Sequence, residues 1–283
     1  MNPIDEKSLG KCLQNARRKA GMTQQELCQK ADISYSTLAK IERGAIKSPS
    51  VFTVRRLAEV LGLSLDSIMG DSQALQKKSK GRSKTGVSFV YFDINGCLVR
   101  FFHRAFSELA HDTGAPADAI ESAFWHYNDA ICRGEITLQE FNSLFAEQLG
   151  VPDIDWQKYY MAAVDPIREM HEVVQWASQY YRIGLLSNIM PGFINEMMAS
   201  GLLPALPYDV IIDSSVVGAI KPERQIYDIA SNHANVPTEE ILLVDDSRTN
   251  LMAAERSGWH VMWFDDFRPE ESAERVKNAL ELG

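Results

Sequence analysis

Residues 71–86, DSQALQKKSKGRSKTG, divide this chain in two. The stretch is polar, basic and rich in Ser, Lys and Gly, with nothing to pack a core, so it reads as a flexible linker. Before it the apolar residues recur at helical spacing throughout. After it, short β-rich apolar runs alternate with longer helical stretches. A 283-residue chain with such a break is expected to form two domains, 1–70 and 87–283, joined by 71–86.

Charge follows the same division. Residues 1–70 hold 11 Lys and Arg against 7 Asp and Glu, a net of +4, and residues 71–86 hold 5 against 1, another +4. Residues 87–283 hold 13 against 30, a net of −17, which brings the whole chain to −9. Contact with a polyanion therefore has to come from the basic front end. The linker cations serve either as a solubilising tether or as additional contacts to phosphates. No apolar run is long enough to span a bilayer, and the N-terminus lacks the apolar core of a signal peptide. The four cysteines, Cys12, Cys28, Cys97 and Cys132, have no CxxC spacing and fit a reduced cytoplasmic protein. The six histidines have no metal-binding spacing.

In the front part, Ser8–Ala20 reads as a helix ended by Gly21. Thr23-Gln24-Gln25-Glu26 is a capping box that starts a second helix, and Ser34 caps a third, Tyr35–Arg43, ended by Gly44. The short gap between helices two and three is that of a helix-turn-helix. Val54, Leu57, Ala58, Val60 and Leu61 supply two closing helices. The run GMTQQELCQKADISYSTLAKIERG resembles the Cro/CI (XRE)-type helix-turn-helix family over residues 7–69. That resemblance implies double-stranded DNA as partner, a third helix in the major groove, and a homodimer on paired half-sites. Tyr35, Ser36 and Lys40 would then face bases, with Gln24 near a phosphate. Thr37, Arg43 and Lys47 are placed for the sugar-phosphate backbone. The competing reading is an ordinary solvated face or a protein-binding module.

In the rear part the runs Val87–Asp93, Arg182–Ser187, Asp209–Asp213, Ile241–Asp245 and His260–Phe264 suit strands of a buried parallel sheet. The long gap between the first two predicts an inserted helical subdomain at about 100–170. The expected architecture is thus an N-terminal all-α helix-turn-helix bundle followed by a C-terminal α/β, Rossmann-like parallel sheet with a helical cap insertion. Phe101, Phe102, Phe106, Phe124, Trp125 and Tyr127 fall near helical spacing in the insertion, as core or as a substrate wall.

Four short motifs lie at strand ends or just after them: FDINGCL from Phe92, LSN from Leu186, KPE from Lys221, and VDD from Val244 with Asn250 beyond. Carboxyl ends of parallel strands are where open α/β sheets place their sites, so the four can converge. They suit phosphoryl transfer, with Asp93 as carboxylate nucleophile. Ser187 and Lys221 would bind phosphoryl oxygens, and Mg²⁺ would sit on Asp93, the Asn95 carbonyl and Asp246, with Asp245 beside it or sharing the load.

This set resembles the haloacid-dehalogenase-like (HAD) hydrolase superfamily across most of 87–283, and the insertion resembles that family's small helical cap. The resemblance also brings out two departures. The family's phosphatases carry a second aspartate two residues after the nucleophile, where this chain has Asn95. Losing a general acid/base costs about 10²–10⁴ in rate, roughly 3–5 kcal/mol of barrier. The signature's usual threonine is Cys97 here. Dehalogenase chemistry needs no paired acids at the fourth motif, so Asp245-Asp246 argues against it. The expected function is a DNA-binding transcriptional regulator whose rear domain binds a small phosphorylated ligand, the alternative being a Mg²⁺-dependent phosphatase with weakened acid/base chemistry.

Overall fold

The computed structural model describes residues 6–46, 49–61 and 80–281. It divides into two compact units, 1–79 and 80–283.

The first unit contains α1 (Glu6–Lys19), α2 (Gln24–Ala31), α3 (Tyr35–Glu42) and α4 (Val51–Leu61). Thr23 and Glu26 form the expected reciprocal capping box at the start of α2. Ser34 caps α3 by accepting from the Thr37 amide at 3.1 Å. Between them the chain turns at Asp32, in the left-handed region at φ 52°, which aspartate tolerates better than most residues. Leu13, Leu27, Leu38, Ile41, Val54 and Leu57 form the core. Lys47 and the second closing helix expected after Leu61 lie outside the described residues.

Inside this small core sits a charged group. The Glu42 side chain, at the end of α3, is fully buried. It accepts from Arg17 Nε at 2.8 Å and Nη2 at 3.0 Å, from Gln24 Nε2 at 2.7 Å and from Gln14 Nε2 at 3.4 Å. Arg17 Nη1 also donates to the Met22 carbonyl at 2.8 Å. One carboxylate thus fixes α1, α2 and α3 relative to each other.

The second unit is built on a parallel sheet: β1 (Phe89–Phe92), β2 (Arg182–Ser187), β3 (Val210–Asp213), β4 (Ile241–Asp245) and β5 (His260–Trp263), in the order β3-β2-β1-β4-β5. Three of the expected runs begin or end a residue or two beyond the strand; the other two match it. Because side chains alternate along a strand, β1 sends Val90 and Phe92 to one face and Phe89 and Tyr91 to the other. Both faces of the central strands β1, β2 and β4 are buried, which is why their runs are apolar without alternation, whereas the edge strands β3 and β5 are only partly covered. The inserted subdomain comprises α5 (His103–Thr113), α6 (Ala117–Cys132), α7 (Leu138–Leu149) and α8 (Trp156–Ala163). Helices α9 (Arg168–Tyr180), α10 (Phe193–Ala199), α11 (Ser214–Val217), α12 (Arg224–Ala234), α13 (Arg248–Arg256) and α14 (Pro269–Ala279) complete the unit. Phe102, Phe106 and Phe124 pack with Trp156 as insertion core, whereas Trp125 is exposed.

One expectation needs correcting. Residues 80–86 belong to the second unit rather than to a free tether. Lys80 pairs with Asp209 at 2.9 Å, Arg82 with Glu240, and Lys84 with Glu281 at 2.7 Å, while the Ser83 hydroxyl accepts from the Val87 amide at 3.0 Å. The excess acid of the rear domain supplies a carboxylate for each of these cations. Composition alone does not show which carboxylates lie within reach.

Burial raises the Glu42 pKa, but the hydrogen bonds from Arg17 and Gln24 outweigh it and hold it below the usual range. A carboxylate depressed by folding stabilises the fold above its unfolded pKa, and the contribution disappears as pH falls through the folded value. The melting temperature of the helical unit should therefore fall on acidification below the ordinary glutamate range. Glu42→Gln should flatten that dependence. Arg17→Ala, which strands a buried carboxylate, should cost about 3–5 kcal/mol in urea denaturation at neutral pH.

Candidate active site

The strand order reverses direction at β1, which has β2 on one side and β4 on the other. At such a switch point the loops leaving neighbouring strands diverge and open a crevice at their carboxyl ends. Asp93 follows β1 directly, Ser187 ends β2, and Asp245 and Asp246 stand at the end of β4. Lys221 arrives from the loop before α12. The structure brings all of these together.

Lys221 Nζ lies 2.9 Å from Asp93 Oδ1 and 2.6 Å from Asp245 Oδ2, with its side chain 1% exposed. Its loop is held by Asn188, whose amide donates to the Lys221 carbonyl and accepts from the Lys221 amide, both at 2.7 Å. Asp245 also accepts from the Ser247 amide at 2.8 Å and from Asn250 Nδ2 at 3.1 Å. These donors hold Asp245 as a structural brace for Lys221. Burial would strip the lysine of its proton, but Asp245 and Asp93 more than compensate, so it is held charged above its ordinary range.

Asp93, Asp245 and Asp246 each offer an oxygen within 4.8 Å of the others. Three carboxylates against one ammonium leave two negative charges in excess. Burial, the main cause, and the mutual repulsion of the aspartates push Asp93 and Asp246 upward, with Lys221 opposing. A hard divalent cation on these oxygens would relieve that repulsion, and the all-oxygen donor set fits Mg²⁺. Asp93 and Asp246 would hold it, and it would supply charge neutralisation for an incoming phosphoryl group. The buried Ser187 hydroxyl lies beside Asp93, whose charged form it favours, but makes no hydrogen bond of ordinary geometry. A buried polar group left so is costly unless something fills the role.

Position 95 is occupied in a way the sequence did not suggest. The Tyr160 hydroxyl, from α8 of the insertion, donates to Asn95 Oδ1. The tyrosine is buried, with its ring 4.9 Å from that of Phe102 and 4.8 Å from that of Phe193. A second tie joins insertion and sheet domain where Arg133 pairs with Glu223 of the KPE motif. Cys97 is buried, and its thiol is pushed up by burial and by the aspartates, so it is no nucleophile. Tyr160 was missed because nothing local in its sequence marks a residue whose partner lies 65 positions earlier.

On the helix-turn-helix, Tyr35, Ser36, Lys40 and Arg43 are exposed on or just beyond α3. Ser36 and Thr37 are also engaged in the Ser34 cap, at 3.1 and 2.7 Å. Arg43 Nε donates to the Ala39 carbonyl at 3.0 Å. Gln24 is already bound to Glu42.

Gly96 makes the metal-side geometry possible. Its φ is +77°, and a Cβ there would meet Asp246 Oδ2 at 2.2 Å. Gly96→Ala should therefore displace Asp246 and abolish Mg²⁺ binding measured by calorimetry. The fold should survive, as read by far-UV circular dichroism.

Comparison with known proteins fits this geometry. A helix-turn-helix family model matches residues 13–68, and the haloacid dehalogenase-like hydrolase model matches residues 87–258. The HTH-type transcriptional regulator ImmR of Bacillus subtilis is 36% identical over 70 residues, which is 25% of this chain and 54% of that protein. Acyl-CoA dehydrogenase family member 10 of Mus musculus is 24% identical over 215 residues, 71% of this chain but 20% of that protein. The chain thus spans about a fifth and about half of these relatives. A predicted HAD-like family hydrolase from Porphyromonas gingivalis superposes with TM-score 0.58 at 20% identity, covering 70% of this chain and 99% of that one. A HAD family enzyme from Bacteroides thetaiotaomicron, in complex with magnesium and inorganic phosphate, superposes at 0.52 with 17% identity, covering 63% and 94%. These structural likenesses speak for the fold alone. By the extent of the second family match, the chain belongs to the haloacid dehalogenase-like hydrolases and carries a helix-turn-helix domain ahead of that fold.

Proposed function

We propose that this protein is a sequence-specific transcriptional regulator whose haloacid dehalogenase-like domain binds a phosphorylated small ligand together with Mg²⁺. The observation that carries the reading is Asn95. Groups that suit a phosphoryl ligand lie together: Lys221 and Ser187, with Asp93 and Asp246 for a cation. The residue at the proton-transfer position has no acidic proton, and its carbonyl oxygen accepts from Tyr160. Such a site favours binding over turnover. The relative with magnesium and phosphate bound supports the same ligand class.

The DNA reading rests on the exposed face of α3. Tyr35, Ser36 and Lys40 are the proposed base contacts, and Thr37, Arg43 and Lys47 the backbone contacts. Gln24 is better read as a brace for Glu42 that can still approach a phosphate. Binding as a homodimer in the cytoplasm completes the proposal. Among the described residues, no helix is long and apolar enough to cross a membrane.

The second reading, a slow phosphatase, is favoured by one observation: Asp93 lies 2.9 Å from a charged Lys221, as a carboxylate nucleophile needs. Hydrolysis of p-nitrophenyl phosphate with Mg²⁺ that vanishes in Asp93→Asn would establish it. The regulator reading expects negligible turnover in both proteins, with operator affinity changed by phosphate and Mg²⁺.

Fluorescence anisotropy on a selected duplex should show log affinity falling linearly with log salt. Lys40→Ala should cost about 1–3 kcal/mol on the preferred site and less on random DNA. No affinity for any duplex at low ionic strength would end the regulator reading.

A further inference from the structure

We propose that this domain accepts a phosphoryl group from acyl phosphates onto Asp93 and then retains it, so that the phosphorylated aspartate is a lasting state. The inference rests on reading the site as a phosphoryl site, and it adds a donor class and a covalent product.

Phosphorylation and dephosphorylation make different demands. In the first, an Asp93 carboxylate oxygen attacks phosphorus and forms an O–P bond. The bond from phosphorus to the acyl oxygen breaks, and its electron pair leaves on the carboxylate. A carboxylic acid has a pKa of about 4, so this leaving group departs without a proton. An alkoxide is closer to hydroxide, whose parent water has a pKa of about 15.7, and it needs a proton as it leaves. Position 95 has none to give. Asn95 carries an amide, and the Tyr160 O–H that touches it is already donated to the Asn95 side-chain oxygen. Acyl phosphates can therefore react where phosphomonoesters cannot.

The second half-reaction needs a base to take a proton from water as it attacks the phosphoaspartate. The Asn95 carbonyl oxygen is engaged by Tyr160. Asp245 is saturated by Lys221, Ser247 and Asn250. Asp246 sits against Gly96 and would hold the cation. The Tyr160 ring, packed with Phe102 and Phe193, also places an apolar wall beside position 95. The product meanwhile has partners at hand: Lys221, and the Ser187 hydroxyl beside Asp93. Tyr160 acts here as a positioning residue, through Asn95.

The test follows the intact mass of the full chain after incubation with Mg²⁺ and acetyl phosphate, then its decay once the donor is removed. The wild type should carry one phosphoryl adduct that persists, and Asp93→Asn none. Asn95→Asp should form the adduct and lose it about 10²–10⁴ times faster, with phosphate released. Tyr160→Phe should shorten the adduct's lifetime without slowing its formation, a split that mere loss of packing would not produce. Glycerol phosphate should label nothing. No adduct on the wild type, an adduct on Asp93→Asn, equal lifetimes for wild type and Asn95→Asp, or equal labelling by glycerol phosphate would each overturn the proposal. If the adduct persists but DNA affinity is unmoved, the regulator reading fails while this one stands. If phosphate shifts DNA affinity with no adduct, the reverse holds.

Discussion

The α/β unit is organised around one buried ammonium. Lys221 sits between Asp93 and Asp245 and offsets the charge of both carboxylates. The need to hold that lysine explains features otherwise unrelated in sequence. Asn188 grips its backbone, Ser247 and Asn250 brace Asp245, and β1, β2 and β4 lie side by side so that their ends share one crevice. The charge count stays negative, which suits the site to a divalent cation. Chemistry and architecture therefore share a constraint: the sheet must put its carboxylates where repulsion is useful.

The helical unit solves a smaller version of the same problem. Hydrophobic burial is non-directional, so the apolar core among the described residues does not by itself set the angles between the helices. Glu42 supplies direction, because a buried carboxylate must satisfy its oxygens and only particular placements of Arg17 and Gln24 do so. Helix α3 is thus anchored at its C-terminal end, while its N-terminal residues stay exposed.

The insertion closes onto the sheet domain through Tyr160 and through Arg133 with Glu223. The loss of the second aspartate at position 95 removes a proton carrier and leaves an amide that a neutral tyrosine can hold.

Much of this was legible in the residues. Parallel strands buried on both faces demand continuous apolar runs, so Arg182–Ser187 and Ile241–Asp245 announced themselves, and Thr23 with Glu26 and Ser34 marked helix starts through local hydrogen bonds. Asp93, Ser187 and the paired aspartates were visible because each sits at or next to a strand end, whereas Lys221 comes from a loop beyond β3 and α11. Interactions between distant segments were not. The sequence showed that Lys80, Arg82 and Lys84 are cations in a polar stretch, but not that carboxylates at positions 209, 240 and 281 would capture them. It showed Asn95 where an acid was expected, but not that Tyr160 would reach it across the fold. Helix caps, strand periodicity and residue chemistry are determined by neighbours along the chain. Pairings across 65 or more residues are decided by packing, which no local pattern encodes.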